Sequence, residues 1–97
     1  MKSFLDMSKI MVMYCCGIPL ISSWDLAEAL NYNHDYLMYA IRRYVVPVSS
    51  DDVSISEICG IPSAYLTPAA INTLADNHII PRIHADHILY IMATKKD

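Results

Sequence analysis

The chain has 97 residues, of which 55% are apolar and 18% are charged, and its formal net charge is −3. This length predicts one small domain over residues 1–97. A chain this short buries only roughly 60–65% of its unfolded surface, so a large cofactor-binding cleft is excluded. The apolar content and the low charge also exclude a disordered chain.

The cysteines and the longest apolar run bear on the cellular setting. Cys15, Cys16 and Cys59 cannot all pair within one chain, and no disulfide framework fits them, so we expect a reducing, cytoplasmic environment. The apolar run from Ile10 to Ile21 contains Pro19 and has only 12 residues. Since a membrane-spanning helix needs about 18 or more, we expect this run to be buried core.

Capping and spacing signals divide the first half of the chain into helices. Ser3 is a suitable N-cap, and Gly17 with Pro19 supplies a stop. Pro47 supplies a second stop. Apolar residues at helical spacing then predict three helices, at about Phe4–Cys16, Trp24–Leu30 and Asp35–Val45.

The second half contains the clearest helix start in the chain. Thr67 is an N-cap residue followed by Pro68, and proline is favoured at the first helical position. The helix that begins there is predicted to end near Asn77. Val53–Ile55 is predicted to be a short strand.

The C-terminal region is predicted to be a β-hairpin over about residues 79–93. Its strands are the apolar runs Ile79–Ile83 and His87–Met92. We find no internal repeat in the sequence. With a helix-turn-helix-like segment over about residues 22–45, the expected fold class is α+β: a small winged-helix-like domain of about four helices with a short C-terminal hairpin.

Two groups of residues follow a family pattern. They are Ser23–Glu28 (SWDLAE) with His34, Leu37, Ile41 and Arg42, and Tyr65-Leu66-Thr67 further along the chain. The first group resembles the N-terminal module of phage Rha-type regulatory proteins, which reads Ser-x-x-Ile-Ala-Glu, then a histidine six residues on, then Ile-Arg. The second resembles the Tyr-x-Leu-Thr turn of such regulators. The match covers roughly residues 22–44 and 65–75.

The resemblance implies a phage or prophage protein of helix-turn-helix ancestry. Carried over residue by residue, it implies that the helix Asp35–Val45 is a recognition helix with Arg42 and Arg43 on the DNA phosphates. The N-terminal end of that helix, where base edges would be read, presents Asn33, His34, Asp35 and Tyr36.

The charge balance opposes DNA binding through this face. DNA affinity depends on cations that displace counterions, yet residues 10–94 carry three arginines against eight acids, a net charge of −5. Within the helix-turn-helix segment, Asp25, Glu28 and Asp35 face only two arginines. Direct DNA binding would therefore need a partner or a homodimer.

The same acids favour a different function. Fixed carboxylates can imitate the charge of a DNA backbone, and the chain is similar to phage anti-CRISPR proteins in size, acidity and apparent phage context. We therefore expect a non-catalytic inhibitor that binds a host protein or ribonucleoprotein complex in its basic nucleic-acid groove, with tyrosines as anchors. The predicted contact residues are Asp25, Glu28, Asp35, Asp51, Asp52, Glu57 and Asp76 with Tyr32, Tyr36 and Tyr39.

Two alternatives remain open. One is a Rha-like regulator that binds operator DNA through Asn33, His34, Tyr36, Arg42 and Arg43, and the other is a protein-interaction or dimerisation module. We expect no enzyme, cofactor, metal site or membrane partner. There is no phosphate-binding glycine loop, and the cluster formed by His84, Asp86, His87 and Cys59 lacks the paired motifs of zinc sites.

Overall fold

The computed structural model describes residues 5–94, which form a four-stranded antiparallel sheet and four α-helices. The strands are β1 Val12–Cys15, β2 Ile18–Ser22, β3 Val53–Ile58 and β4 Ile61–Leu66. The helices are α1 Ser23–Leu30, α2 His34–Ala40, α3 Pro68–Asp76 and α4 Arg82–Thr94. A π-helical turn, Ile41–Val45, continues α2, and short 3-10 turns span Met7–Lys9 and Ser50–Asp52. The α+β class and the number of helices agree with the sequence prediction, and three of the four predicted helices are present.

The sheet consists of two tight hairpins joined side by side. The strand order is β1-β2-β4-β3, and all neighbouring strands are antiparallel. Each hairpin turns on a Cys-Gly pair with positive φ at both residues, 56° and 82° at Cys16-Gly17 and 54° and 79° at Cys59-Gly60. Two consecutive positive φ angles are what the favoured two-residue hairpin turn requires, and glycine supplies one of them without steric cost.

The predicted N-terminal helix, Phe4–Cys16, is wrong, and its first residue lies outside the described residues. The structure places a 3-10 turn and then β1 in this stretch. The apolar residues there fit helical and extended spacing equally well, so periodicity alone does not decide between them. The Cys16-Gly17 turn decides it, because β1 finds a pairing partner in β2 immediately afterwards.

The predicted C-terminal hairpin over residues 79–93 is also wrong, since this region forms α4. Ala85, Ile88 and Met92 are buried at helical spacing, which is the pattern that the apolar runs concealed. The amide of Ala85 donates to the carbonyl of Pro81, which starts the helix just after the proline. Each hairpin of the sheet instead precedes a pair of helices: β1 and β2 come before α1 and α2, and β3 and β4 come before α3 and α4.

The other predicted elements are present. The helix over Trp24–Leu30 is α1, and α2 with its π-helical turn covers the helix predicted over Asp35–Val45. Thr67 caps α3 by accepting a hydrogen bond from the amide of Ala70 at 3.3 Å. The strand predicted at Val53–Ile55 is the first half of β3.

The chain does contain an internal repeat, contrary to the sequence prediction. Each half runs strand, strand, helix, helix, and the letters CGIP stand at the first hairpin turn (residues 16–19) and again at the second (residues 59–62). A left-handed residue follows the first helix of each half, Asn31 directly after α1 and His78 two residues after the end of α3. The strand order is unchanged when the two halves are exchanged, so β2 and β4 meet at the centre of the sheet.

The helices cover one face of the sheet and form a single core with it. Ile21 and Leu66, which are paired across β2 and β4, are fully buried. They pack with fully buried residues of all four helices and the π-helical turn, among them Leu26, Leu37, Ile41, Ile71, Leu74 and Ile88. Within residues 5–94 no helix has the length and apolar character needed to cross a bilayer.

Candidate functional site

The α1–α2 unit is a helix-turn-helix whose turn is fixed by local hydrogen bonds. Ser22 caps α1 by accepting from the amide of Trp24 at 3.1 Å. The helix ends at Asn31, which adopts the left-handed conformation with φ 58°. Asn33 then caps α2, since its side-chain oxygen accepts from the amides of Asp35 at 2.8 Å and Tyr36 at 3.3 Å. These bonds determine the direction in which α2 leaves the turn.

A buried hydrogen-bond network anchors the unit to the sheet. Ser23 is fully buried, and its Oγ lies 2.8 Å from Nε2 of His34 and accepts from the amide of Ala64 at 3.0 Å. Because Ala64 is the donor on one side, the Ser23 hydroxyl can donate to a neutral His34 that carries its proton on Nδ1. Burial lowers the pKa of His34, and the nearby Asp35 carboxylate offsets part of this effect.

The ring of Trp24 covers this network. It stacks on the His34 ring with the centroids 3.5 Å apart and the planes 6° apart. His34 is therefore committed to contacts within the chain, and 9% of it is exposed. It cannot reach base edges as the Rha-type resemblance implied, whereas Asn33 uses its side-chain oxygen as the cap of α2.

The exposed side of α2 carries a continuous row of polar and aromatic side chains, which we call the α2 stripe: Asp35, Tyr36, Tyr39, Arg42 and Arg43. Their spacing places them on one side of the helix. Tyr36 is 47% exposed and Tyr39 is 60% exposed. The opposite side, with Leu37 and Ile41, is fully buried in the core. The stripe is therefore held rigidly while its large aromatic groups face solvent.

Tyr32 contacts the α2 stripe through the ring of Tyr36. Its hydroxyl donates to the carbonyl of Ile79 at 2.7 Å, which links the turn of the first half to the turn of the second. Its ring meets the ring of Tyr36 edge to face, with the centroids 5.8 Å apart. Burial raises the pKa of the Tyr32 phenol. This tyrosine positions Tyr36 and leaves little of its own ring for a partner.

The predicted acidic contact residues do not lie together. Asp25, Glu28 and Asp35 belong to the α1–α2 unit, where Glu28 and Asp35 are exposed and Asp25 is half-buried. The other acids lie elsewhere: Asp51 and Asp52 before the start of β3, Glu57 near its far end, and Asp76 at the end of α3. The structure therefore places three of the seven predicted acids in the same α1–α2 unit as the predicted tyrosines.

Arg82 does not contribute a free positive charge. Its guanidinium donates to Asp76 at 2.8 Å and to Asn72 at 2.9 Å, and it lies 3.5 Å from Asp86. Such exposed ion pairs add little stability, but they cancel charge locally. Arg42 and Arg43 make no ion pair with any residue in the range 5–94, so they are the unneutralised arginines of the α2 stripe.

Sequence reasoning missed an apolar groove on the side of the sheet that faces away from the helices. It measures about 640 Å³ and is lined by Ser22, Trp24, Cys59, Ile61, Ser63 and Tyr65. The signal was present in the sequence, because residues 61, 63 and 65 alternate with the buried residues of β4. It becomes readable only after Cys59-Gly60 is recognised as a hairpin turn.

The residues considered for a metal site do not converge. Within residues 5–94 no group of three or more histidine, cysteine or acidic side chains is placed to hold a metal ion. His84, Asp86 and His87 lie along α4, Asp86 faces Arg82, and Cys59 lies at the second hairpin turn. Residues 5–94 therefore offer no donor set to which metal chemistry can be assigned.

Comparison of the chain with protein-family models, with curated proteins and with solved structures gives no significant match. The resemblance to Rha-type regulators stays a prediction that depends on the residues quoted for it. Function must therefore be argued from the α1–α2 unit and the surfaces around it.

Proposed function

We propose that the protein is a phage-encoded, non-catalytic inhibitor that acts in the cytoplasm of a bacterial host by binding a protein or ribonucleoprotein complex that handles nucleic acid. In this proposal the α2 stripe and the acids of the α1–α2 unit occupy a basic groove of that complex and block its DNA path. An anti-CRISPR protein acting on a surveillance complex is an example of this class.

The observation that carries the proposal is the composition of the α2 stripe. Tyrosine and arginine are the side chains most enriched where protein interfaces concentrate their binding energy. Tyr36 and Tyr39 are about half exposed on a helix whose other side is buried. A partner that packed against their rings would remove this apolar surface from water, which would favour binding. DNA binding requires a run of cations instead, and the stripe begins with Asp35.

The charge of the surrounding surface supports a basic partner. Residues 5–94 carry nine acids against four lysines and arginines, and one of those arginines is neutralised by Asp76 and Asp86. Complementary charge accelerates encounter and selects partners. Asp35 directly precedes Tyr36 on α2, and Asp25 and Glu28 lie on α1 of the same unit, so in this proposal the three acids and the tyrosines contact one partner.

Charge reversal tests this proposal with a matched control. The triple variant Asp25→Lys, Glu28→Lys and Asp35→Lys should abolish capture of a target complex from a nuclease-treated bacterial lysate. The control, Asp51→Lys, Asp52→Lys and Glu57→Lys, makes the same change in net charge away from the α1–α2 unit and should retain capture. Equal loss in both variants would mean that overall acidity, not this surface, determines binding.

A second readout identifies the blocked step. Adding the wild-type protein to the captured complex should displace its labelled nucleic acid, and the α1–α2 triple variant should not. Asp25 and Asp35 lie in the first turns of helices, where reversal also costs about 0.3–1 kcal/mol each, so the melting temperature of every variant is measured alongside. Capture without displacement would contradict blocking of the nucleic-acid path.

A Rha-like regulator that binds operator DNA is the second candidate, favoured by one observation. The α1–α2 unit has the three-residue turn of a helix-turn-helix, and Arg42 and Arg43 are exposed at the end of α2. Duplex binding whose affinity falls steeply with salt, and which is lost in Arg42→Ala with Arg43→Ala, would support this candidate over the inhibitor.

A further inference from the structure

The side of the sheet that faces away from the helices carries apolar residues and serines, and none of its described residues is charged. Side chains alternate along a strand, so they point away from the helices at positions that alternate with the fully buried Ile21, Ala64 and Leu66. We call these positions the outer sheet face. They are Met13, Cys15, Ile18, Leu20, Ser22, Ser54, Ser56, Ile61, Ser63 and Tyr65.

No charged residue belongs to the outer sheet face, although the chain carries 17 in all, seven basic and ten acidic. A solvated face of an antiparallel sheet is normally polar, in alternation with the buried face. Here Met13 is 39% exposed, Ile18 is 49% exposed and Ile61 is 53% exposed. Exposed apolar side chains on an uncharged sheet face are typical of interaction surfaces in soluble proteins.

The outer sheet face has a hollow, the groove next to Trp24, at one end and an exposed apolar side chain, Ile18, at the other. Pairing of β2 with β4 covers only Ile21–Ser22 and Tyr65–Leu66, so each strand continues past the end of the other. Beyond β2 lies the groove of about 640 Å³ next to Trp24. Beyond β4 lies Ile18, which is 49% exposed.

We infer that the outer sheet face is the interface of a homodimer, in which Ile18 of each copy packs toward the Trp24 groove of the other. A two-fold axis requires a self-complementary patch, and a hollow and a projection on one face satisfy that requirement. Two such sheets would pack face to face about 10 Å apart, as in a β-sandwich.

The charge distribution identifies a second copy as the occupant. Residues 5–94 carry five more acids than bases, all of them outside the outer sheet face, so two copies that meet elsewhere bring like charges together. Nucleic acid and charged peptides find no complementary group on this face. Only an uncharged surface matches it, and the same face on another copy is one.

The area of the outer sheet face determines how tightly two copies are expected to bind. Four strands about 4.8 Å apart, with about five residues each at about 3.4 Å, cover roughly 19 by 17 Å. This footprint of roughly 320 Å² per copy is smaller than the roughly 800 Å² that each partner buries in a standard interface, so we expect a weak dimer with a dissociation constant in the high micromolar range. The helices lie on the other side of the sheet, so the α2 stripe stays in solvent in both copies.

Fluorescence of Trp24 can follow dimer formation, because Trp24 is the single tryptophan of the chain and is 43% exposed. Sedimentation of the full chain from about 1 μM to about 1 mM should show the mass rising from 11.0 kDa toward twice that value. Over the same range the Trp24 emission should shift to shorter wavelength, and its quenching by acrylamide should fall.

Lysine substitutions locate the interface. Ile61→Lys should weaken the dimer by about tenfold or more. Ile83→Lys, which makes the same change at a 65% exposed position on α4, should leave the dimer intact. Ile18→Lys, at the other end of the face, repeats the test should Ile61→Lys disturb folding, which circular dichroism detects.

Three outcomes would overturn the inference. They are a mass that stays at 11.0 kDa across the whole concentration range, a dimer that resists both outer-face lysines, and a dimer that forms without any change at Trp24. A monomer that instead binds another protein through this face gives the first outcome, and it equally rejects the homodimer.

Discussion

The two halves of the molecule share one framework and differ in what they expose. Each half is a hairpin on a Cys-Gly turn followed by two helices, and a left-handed residue follows the first helix of each within two residues. The first half exposes two tyrosines on α2 and two arginines on the π-helical turn that continues it, and neither arginine has an ion-pair partner within residues 5–94. The second helix of the second half pairs its arginine, Arg82, with Asp76 and Asp86. The repeated framework maintains the fold, and within residues 5–94 only the first half places exposed tyrosines beside arginines that make no ion pair.

The largest expected effects test whether the halves form one cooperative unit. Leu37 in α2 and Leu74 in α3 are both fully buried in the same core. Leu37→Ala and Leu74→Ala should each lower the free energy of unfolding by about 2–5 kcal/mol, because each leaves a cavity. Chemical denaturation should show one transition in both variants. Two separate transitions would mean that the halves fold independently.

Ser23 has no counterpart in the second half, because Pro68 occupies the matching position after the cap of α3, and its buried network joins the first half to Ala64 of β4. Ser23→Ala should cost about 1–3 kcal/mol, since the amide of Ala64 and Nε2 of His34 both lose a buried partner. Thermal unfolding measures the loss. A cost below that of an ordinary surface substitution would show that water replaces the serine.

The two helix caps should have matched, smaller effects. Ser22 caps α1 and Thr67 caps α3, each by accepting from an amide two or three residues on. Ser22→Ala and Thr67→Ala should each cost about 1 kcal/mol. Thr67 also donates to the carbonyl of Asp52, so its loss should be the larger of the two. The reverse order would contradict the hydrogen bonding assigned to Thr67.

The pH dependence of stability should come from the first half through His34. Its pKa is lowered from the ordinary value of 6.5 by burial, so the unfolded chain binds the proton more tightly. This contribution to stability is complete above the unfolded pKa and is lost as pH falls from about 6.5 toward the folded pKa. His34→Gln should remove this loss, which denaturation at several pH values would detect. An unchanged pH profile would place the titrating group elsewhere.

Local signals in the sequence predicted part of this fold. Thr67-Pro68, Asn33 and Ser22 are caps whose chemistry acts within three residues, and the helices that they begin were found. The errors arose where pairing partners are distant in the chain or signals conflict. Val12–Cys15 forms a strand because β2 pairs with it. The apolar run Ile79–Ile83 was predicted to be one strand, but α4 begins inside that run, directly after Pro81.

The candidate site was predicted in part for the same reason. Tyr36, Tyr39, Arg42 and Arg43 share one side of a helix that the sequence located correctly. The positions of Asp51, Asp52, Glu57 and Asp76 depend on how the two halves fold together, which composition does not reveal. His34 resembled a base-reading residue until the structure placed it between Ser23 and Trp24.

The most direct test of the central claim compares exposed tyrosines in the two halves. Tyr36 and Tyr39 belong to the α2 stripe, whereas Tyr90, which is 69% exposed, lies on α4. Substituting alanine at Tyr39 or Tyr90 should change the free energy of unfolding by less than about 0.5 kcal/mol, whereas Tyr36→Ala also loses the edge-to-face contact with Tyr32 and should cost about 0.5–1.5 kcal/mol. The affinity for the captured complex, measured by calorimetry, should fall by about tenfold or more in Tyr36→Ala with Tyr39→Ala and stay unchanged in Tyr90→Ala. Unchanged affinity in the double variant would contradict the assignment of function to the α2 stripe.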